Sequence, residues 1–442
     1  MPKFLPKSEL FLGSRLALNL LKTKDKRYTA CMRESSTPHF VGLDVGTSKV
    51  RCVVGMLQAD DLKPSVIGHG SAPNLGMRKG TVVHVDDATE AIARAITEAE
   101  RVSGVRINRA TVNVNGVHVN GINSKGVIAI SAANREITID DRLRVEDAAT
   151  VVKLPPNREI IQVFAKNYSL DGQANIKDPV GMHGVRLEVD AHIVTAATPS
   201  MRSLDMALSG AQIIPMRHTV SSLAAAEAVL TRQQKEAGTV LVDIGAGTTN
   251  ILVIEDGEVQ HVAVLPIGGL HITNDLAIGL RTDLDIAEAV KLEHGSLAES
   301  DKKAVITVTN NGTNYTFKNA DVVMITEARV EELFEYVDRE LKKIQRSRKL
   351  PGGAVLVGGT AKLPGIAEFA REKLQLPARV GKMQALAGLV EAVDDPEYFT
   401  AVGLMLLDML LLPEANVAPG TRQIASSVSG IVDNIFGYFK RR

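Results

Sequence analysis

The chain has 442 residues, 45% apolar and 23% charged, a globular composition too long for one ordinary core, so two or more domains are expected. Lysine plus arginine and aspartate plus glutamate both number 51, which gives no electrostatic case for nucleic acid as a partner. Two cysteines, Cys31 and Cys52, without a CxxC pair exclude a disulfide framework or a cysteine zinc site, and no apolar run reaches the roughly 18 to 20 residues that cross a bilayer, leaving only peripheral membrane contact.

Residues 1–38 read as a disordered basic extension, with Lys3, Lys7, Arg15, Lys22, Lys24, Lys26 and Arg27 set against Glu9 and Asp25 before Cys31. No A-x-A pattern follows the apolar patch 16–21, so a signal peptide is not expected. A mis-assigned start, with Met32 as the first residue, is the alternative. An apolar strand over 40–44 then ends on Asp44, Val45-Gly46-Thr47-Ser48 forms a turn, and a return strand runs over 49–56, with a third over 65–70.

Asp87-Ala88-Thr89-Glu90 reads as a capping box opening a helix that Gly104 stops. A strand over 110–119 follows. Residues 120–197 change pattern to a βαββ unit: strand 126–131, helix 140–152, and strands 159–165 and 185–196. With no glycine-rich loop or acid pair, this reads as an inserted subdomain for protein contacts. Helices are expected over 200–209 and 220–233, the second carrying Ala224-Ala225-Ala226 and Ala228 for close backbone packing.

The stretch 239–259 repeats the first device. A strand over 239–242 ends on Asp243, the turn is Ile244-Gly245-Ala246-Gly247-Thr248-Thr249, and a run over 251–254 leads through Asp256-Gly257, a hairpin signal, into 258–265. The glycines let backbone N–H groups approach an anion, and the threonine hydroxyls add donors. A carboxylate repels phosphate directly, so Asp44 and Asp243 suit holding a hydrated cation such as Mg²⁺. Two copies of Asp-x-Gly half a chain apart imply two similar domains, each presenting a phosphate-gripping hairpin to a shared cleft.

Pro266-Ile267-Gly268-Gly269 is a further turn before a helix over 272–279. Helix 286–294 carries Glu288 and Lys291 on one face. A hairpin over 305–317 turns at Asn310-Asn311-Gly312, and a long helix spans 326–349. A buried strand ends at Gly358-Gly359, where a flat ring can lie against the backbone, and a helix over 365–374 follows. Residues 413–422 form a linker. In 423–442, Ile424, Val428, Ile431, Val432, Ile435, Phe436 and Phe439 share a helical face that ends in Lys440-Arg441-Arg442, a pattern suited to an interfacial membrane anchor or to docking on protein.

The order of Asp-x-Gly, Asp-x-Gly and Gly-Gly motifs resembles the actin-like ATPase superfamily (Hsp70, actin and sugar kinases), over about 40–412. Asn175-Ile-Lys-Asp-Pro-Val-Gly-Met-His-Gly-Val-Arg186 and Ala287-Glu-Ala-Val-Lys-Leu-Glu-His-Gly295 are similar to signatures of the bacterial cell-division FtsA family. The resemblance implies an α/β two-lobe ATPase fold with an inserted subdomain. The first lobe is 39–119 with 198–236 and about 386–412, the insert 120–197, and the second lobe 237–385 including a subdomain at about 266–333. It implies ATP and Mg²⁺ as cofactors, self-association, docking of the tubulin-like ring protein FtsZ, contacts of the insert with other division proteins, and attachment of the tail to anionic lipids. The implied location is the cytoplasmic face of the cell membrane at the septum. Gly46, Thr47, Ser48 and Lys49 form the first phosphate loop and Gly245, Gly247, Thr248 and Thr249 the second, with Asp44 and Asp243 as the catalytic and water-mediated metal residues. Gly268 and Gly269 join the nucleotide set, Gly358 and Gly359 bracket the adenosine, and Glu288 and Lys291 lie along the ribose.

One departure matters. Members that hydrolyse ATP well place a Glu or Gln before the small-residue helix, where this chain has Ser221 and Ser222. A hydroxyl is a poor base, so a rate factor of roughly 10² to 10⁴ is missing and turnover is expected to be slow. Glu227, farther along the helix, is with Ser222 the secondary catalytic candidate that could substitute, although a surface or helix-supporting role is expected for it. Rival readings are a pilus-assembly actin-like ATPase and a small-molecule kinase on the same fold.

Overall fold

The computed structural model describes residues 39–57, 64–299, 301 and 303–410. The extension, linker and amphipathic tail read from the sequence lie outside the described residues. In the first lobe, β1 (His39–Val45), β2 (Lys49–Met56) and β3 (Ser65–Pro73) form an antiparallel meander. The short pair β4 (Met77–Arg78) and β5 (Thr81–Val82) leads to α1 (Val85–Ser103), and β6 (Arg109–Val114) returns parallel to β1. Helix α1 starts earlier than expected. His84 occupies the cap without a side-chain bond, so Asp86 and Asp87 fall in the first turn, where they oppose the helix dipole's positive end, and no capping box forms. The C-terminal stop is Gly104, at φ 70°.

The insert follows as β7 (Asn120–Ala129), α2 (Ile139–Ala149), β8 (Arg158–Leu170), β9 (Gln173–Ile176) and β10 (Arg186–Ala197). Its sheet order is β7-β10-β8-β9, so the unit has one strand more than the expected βαββ. Strand β9 is a short polar edge whose sequence carries little strand signal. The chain then forms α3 (Thr198–Gly210), β11 (Ile214–Val220), α4 (Ser221–Val229) and α5 (Arg232–Ala237). The single helix expected over 220–233 is thus two. Thr231 and Gln234 form a capping box that restarts the second, with bonds of 2.7 and 3.3 Å.

The second lobe repeats the meander in β12 (Thr239–Ile244), β13 (Thr249–Glu255) and β14 (Glu258–Leu265). Then come α6 (Gly269–Leu280), α7 (Leu284–His294), the hairpin β15 (Val305–Asn310) and β16 (Thr313–Lys318), and α8 (Asn319–Lys343). Helix α8 begins and ends before the expected 326–349, and Arg346 beyond it pairs with Glu255 at 2.7 Å. Strand β17 (Gly353–Val357) lies parallel to β12, followed by α9 (Ile366–Leu374), β18 (Ala378–Val380), β19 (Ala387–Gly388) and α10 (Phe399–Leu410). The two main sheets run β11-β6-β1-β2-β3-β19 and β14-β13-β12-β17-β18, the same meander with parallel strands added beside its first member.

Both sheets are covered on both faces, which is why their strands read as continuous apolar runs. Along β12, Val240, Val242 and Ile244 face a core built with α6 to α9, while Leu241 faces the opposite core. That second core is shared between lobes. Leu241, Leu252, Val355 and Val357 from one sheet meet Phe40, Val53 and Val66 from the other through α4 and α10. The two helices approach closely because Gly403 packs against the Ala224 backbone, where any Cβ would collide. The alanines of α4 serve the close packing expected of them, and this small-residue hub lies between the two sheets that carry the Asp-x-Gly turns.

Candidate functional site

Each meander places its aspartate at the end of the first strand, on the rim of the cleft. The turns have the same bond pattern: Gly46 N–H donates to the Lys49 carbonyl at 3.1 Å, and Gly245 N–H to the Thr248 carbonyl at 2.9 Å. The turns also face each other. A Cβ on Gly247 would sit 3.0 Å from the Thr47 side chain, so the two turns approach closely where the lobes meet. Thr47 Oγ1 accepts from Gly80 N–H at 3.0 Å, and Thr248 Oγ1 donates to Asn115 at 3.3 Å across the same gap. Ser48 and Lys49 are exposed at the lip.

The register reveals partners that spacing did not. Arg51 stands opposite Asp44 and Asn250 opposite Asp243, equivalent positions in the two copies. Asn250 donates to Asp243 Oδ2 at 3.0 Å. Asn113 on β6 donates to Asp44 Oδ1 at 2.7 Å and to Ser221 Oγ at 3.1 Å. Burial pushes the Asp44 carboxyl up to about 7; the Arg51 guanidinium pulls it back and Asp243 pushes it up. Burial likewise lifts Asp243 to about 6, against the Asn250 bond and Arg51. Two buried acids raised this far form a site that a cation would relieve.

Gly268 and Gly269 close the second turn from behind. Gly269 N–H donates to the Gly245 carbonyl at 2.9 Å, and a Cβ on Gly268 would meet that carbonyl at 2.6 Å. Thr249 Oγ1 donates to the Ile267 carbonyl at 2.8 Å. Lys291 donates to Glu288 at 2.5 Å, to Thr273 Oγ1 at 2.9 Å and to the Gly269 carbonyl at 3.4 Å, which places the Glu288–Lys291 pair on the wall beside Gly269. Gly358 has φ 85°, and a Cβ on it would lie 2.5 Å from Asp243 Oδ1; Gly359 is exposed beside it.

The fold thus brings the two turns, Gly268-Gly269, Gly358 and the Glu288–Lys291 pair close to one another. Glu227 does not join them. It is buried, not on the surface, and accepts from Lys235 at 2.9 Å with both side chains 6% exposed, because α4 turns back into α5 at this end. Ser221 Oγ is engaged by Asn113, while Ser222 Oγ is buried without a partner. Arg51, Asn113, Asn250 and Glu397 were missed by sequence reasoning. The equal offsets of Arg51 and Asn250 from their aspartates were the one available signal. Glu397 pairs with Arg51 and Lys49 from far along the chain.

The donor set fits a nucleotide with a divalent cation. Glycine cradles that a Cβ would fill, an orphaned Asn250 Oδ1 and two raised carboxyls all meet here. Among the described residues no group of three or more His, Cys, Asp or Glu could hold a metal, so a cation beside Asp44 and Asp243 would take its ligands from phosphate and from water that these carboxylates hold.

A family model described as cell division protein FtsA matches residues 240–403, and one described as the SHS2 domain inserted in FtsA matches 116–195. A Pseudomonas aeruginosa protein named cell division protein FtsA is 36% identical, over 83% of this chain and 88% of its own. A Bacillus subtilis protein of the same name is 38% identical, over 83% and 82% respectively. Among solved structures, a PilM–PilN type IV pilus biogenesis complex superposes with a TM-score of 0.60 at 17% identity, covering 84% of this chain and 98% of that one. MreB5 of Spiroplasma citri bound to ADP does so with 0.50 at 13%, covering 90% and 98%. These likenesses show the actin-like fold with its SHS2 insert; the family is decided by the sequence relatives, which set aside the pilus and kinase readings. With the twin turns, the inserted sheet and relatives that span most of its length, this chain belongs to the FtsA family of bacterial cell-division proteins.

Proposed function

We propose that the chain binds ATP with Mg²⁺ between its lobes, turns it over slowly, assembles with copies of itself on the cytoplasmic face of the membrane at the septum, and tethers the FtsZ ring there. The observation that carries the nucleotide part is the apposition of the two Asp-x-Gly turns, with Gly247 against Thr47 and both aspartates buried beneath them. The fold is also that of an MreB5 bound to ADP.

In this reading the backbone of Gly46, Thr47 and Ser48 and that of Gly245, Gly247, Thr248 and Thr249 cradle phosphates, with Lys49 adding charge at the lip. Asp44 and Asp243 orient water around the cation, which when bound would neutralise phosphate charge. Gly358 and Gly359 leave room for the adenosine, and Glu288 with Lys291 reaches the ribose. Slow turnover follows from the positions of Ser221, Ser222 and Glu227. The first hydroxyl is held by Asn113, the second is a weak base, and the carboxylate is locked to Lys235 outside the cleft.

The domain limits belong to the same proposal: 39–119, 198–236 and about 386–412 as one lobe, 237–385 as the other with a subdomain at about 266–333, and 120–197 as the insert meeting other division proteins. A linker 413–422 would carry the membrane helix 423–442. Among the described residues no helix is long and apolar enough to cross a membrane.

Co-sedimentation with anionic liposomes, ATP and purified FtsZ tests these claims together. The full chain should pellet with vesicles and bring FtsZ with it, and a truncation after Arg422 should stay folded and bind nucleotide yet remain in the supernatant. Unchanged pelleting of the truncation would refute the anchor, and FtsZ left in solution beside pelleted full chain would refute the tether.

A further inference from the structure

Glu397 lies on the segment that returns from the second lobe to α10, and its two carboxylate oxygens are shared between lobes. Oε2 accepts from Arg51, and from Lys49 at 3.3 Å, both on β2 directly behind the first turn. Oε1 accepts from Lys362 at 3.1 Å, on the turn that follows Gly358-Gly359. The support around this bridge is tight. Lys362 also donates to Asp395 at 2.8 Å, Glu397 N–H donates to Asp395 Oδ1 at 2.9 Å, and Gly358 N–H donates to the Pro396 carbonyl at 3.1 Å. Arg51 lies over the Tyr398 ring, 5.6 Å from its centroid. Glu397 is in contact distance of the cleft wall, since a Cβ on Gly359 would sit 3.5 Å from it.

Such a carboxylate presents to these cations what a phosphate presents: paired oxygens that accept charge-assisted bonds from guanidinium and ammonium groups. Lys49 is half exposed at the lip, and Arg51 acts electrostatically on both Asp44 and Asp243, so both cations belong to the cleft. Burial opposes ionisation of Glu397, yet Arg51, Lys49 and Lys362 hold it down at about 2, so the bridge is charged at every physiological pH.

We propose that Glu397 is an inter-lobe latch that competes with nucleotide phosphates for Lys49 and Arg51, and so sets how strongly the cleft discriminates among ligands by their number of phosphates. Resting on the nucleotide reading above, it adds a specificity-determining residue to that site. In the nucleotide-free protein the latch ties β2 to the Gly358-Gly359 turn. A polyphosphate draws Lys49 and Arg51 toward the cleft and leaves Glu397 to Lys362 alone. The more phosphates a ligand carries, the more it gains when the competing carboxylate is removed.

Calorimetric titration of the full chain with ATP, ADP and adenosine, each with Mg²⁺, tests the idea. Glu397→Gln keeps the shape and removes the charge. It should bind ATP about tenfold tighter, the factor that about 1.4 kcal/mol gives, with a smaller gain for ADP and none for adenosine. Lys362→Met leaves Glu397 wholly to Lys49 and Arg51 and should shift ATP affinity the opposite way. A structural role alone would weaken all ligands alike in both variants. If wild type binds ATP but Glu397→Gln binds it no more tightly, or gains equally for adenosine, the latch is refuted while the nucleotide reading stands. Should Glu397→Gln misfold, stronger ATP binding by Lys362→Met overturns the latch by itself. No binding of ATP or ADP by folded wild type removes both.

Discussion

Replacing Asp44 by asparagine should stabilise the nucleotide-free protein above neutral pH and change it far less near pH 4. In the unfolded chain this carboxyl ionises near 3.8, and in the folded protein at about 7. Below the lower value both states are protonated and burial has no ionisation cost. Between the two values the unfolded state releases a proton that the native state keeps, so native stability falls as pH rises. Above about 7 the loss is constant at about three units of 1.36 kcal/mol, or about 4 kcal/mol. Asparagine keeps the oxygen that accepts from Asn113 and carries no charge to desolvate. Urea midpoints measured at pH 4.5 and pH 8 in the presence of a chelator would read the difference. The variant should gain on the order of 1 M at pH 8 and nothing comparable at pH 4.5. Equal midpoints at pH 8, or the same gain at both pH values, would refute the view that Asp44 is held in a destabilising site. If the proposed site holds Mg²⁺ and ATP, the same variant should lose any stabilisation these ligands give wild type.

Gly358→Ala should abolish nucleotide binding, because φ 85° and a Cβ 2.5 Å from Asp243 Oδ1 force the end of β17 away from the second aspartate; binding within twofold of wild type, by calorimetry, would contradict that geometry. Glu227→Ala should cost about 3 to 5 kcal/mol of stability by leaving Lys235 charged and buried, seen as a lower urea midpoint. ATPase activity per folded molecule should be unchanged, and its collapse would make Glu227 part of the reaction.

The insert illustrates how a local pattern and a tertiary contact divide the information. Its fold was legible from alternation and turns, apart from β9. Its seat was not. It emerges from the first lobe yet rests on β14 of the second, where buried His192 accepts from Val262 N–H at 3.0 Å through Nε2 and meets Asn123 at 2.8 Å through Nδ1. Those two bonds leave the ring neutral, with burial pushing it down to about 3. Strand β14 runs on to Ile267, whose carbonyl receives Thr249 of the second turn, so the insert sits on an element continuous with the cleft.

What the sequence determined by itself was local and repeated: apolar runs ending on Asp44 and Asp243, glycines at the turns, and the Gly358-Gly359 step. Short-range sterics decide these, because a turn that must bring N–H groups together tolerates few residues. The tertiary structure decided the rest. Asn113 reaches Asp44 because β6 lies parallel to β1, and Arg51 and Lys49 meet Glu397 because the chain returns to the first lobe only at its end. Glu227 became a buried ion-pair partner because α4 stops at Val229 and α5 folds Lys235 back onto it. Electrostatic partners act through distance in space, and no periodicity along the chain records that distance.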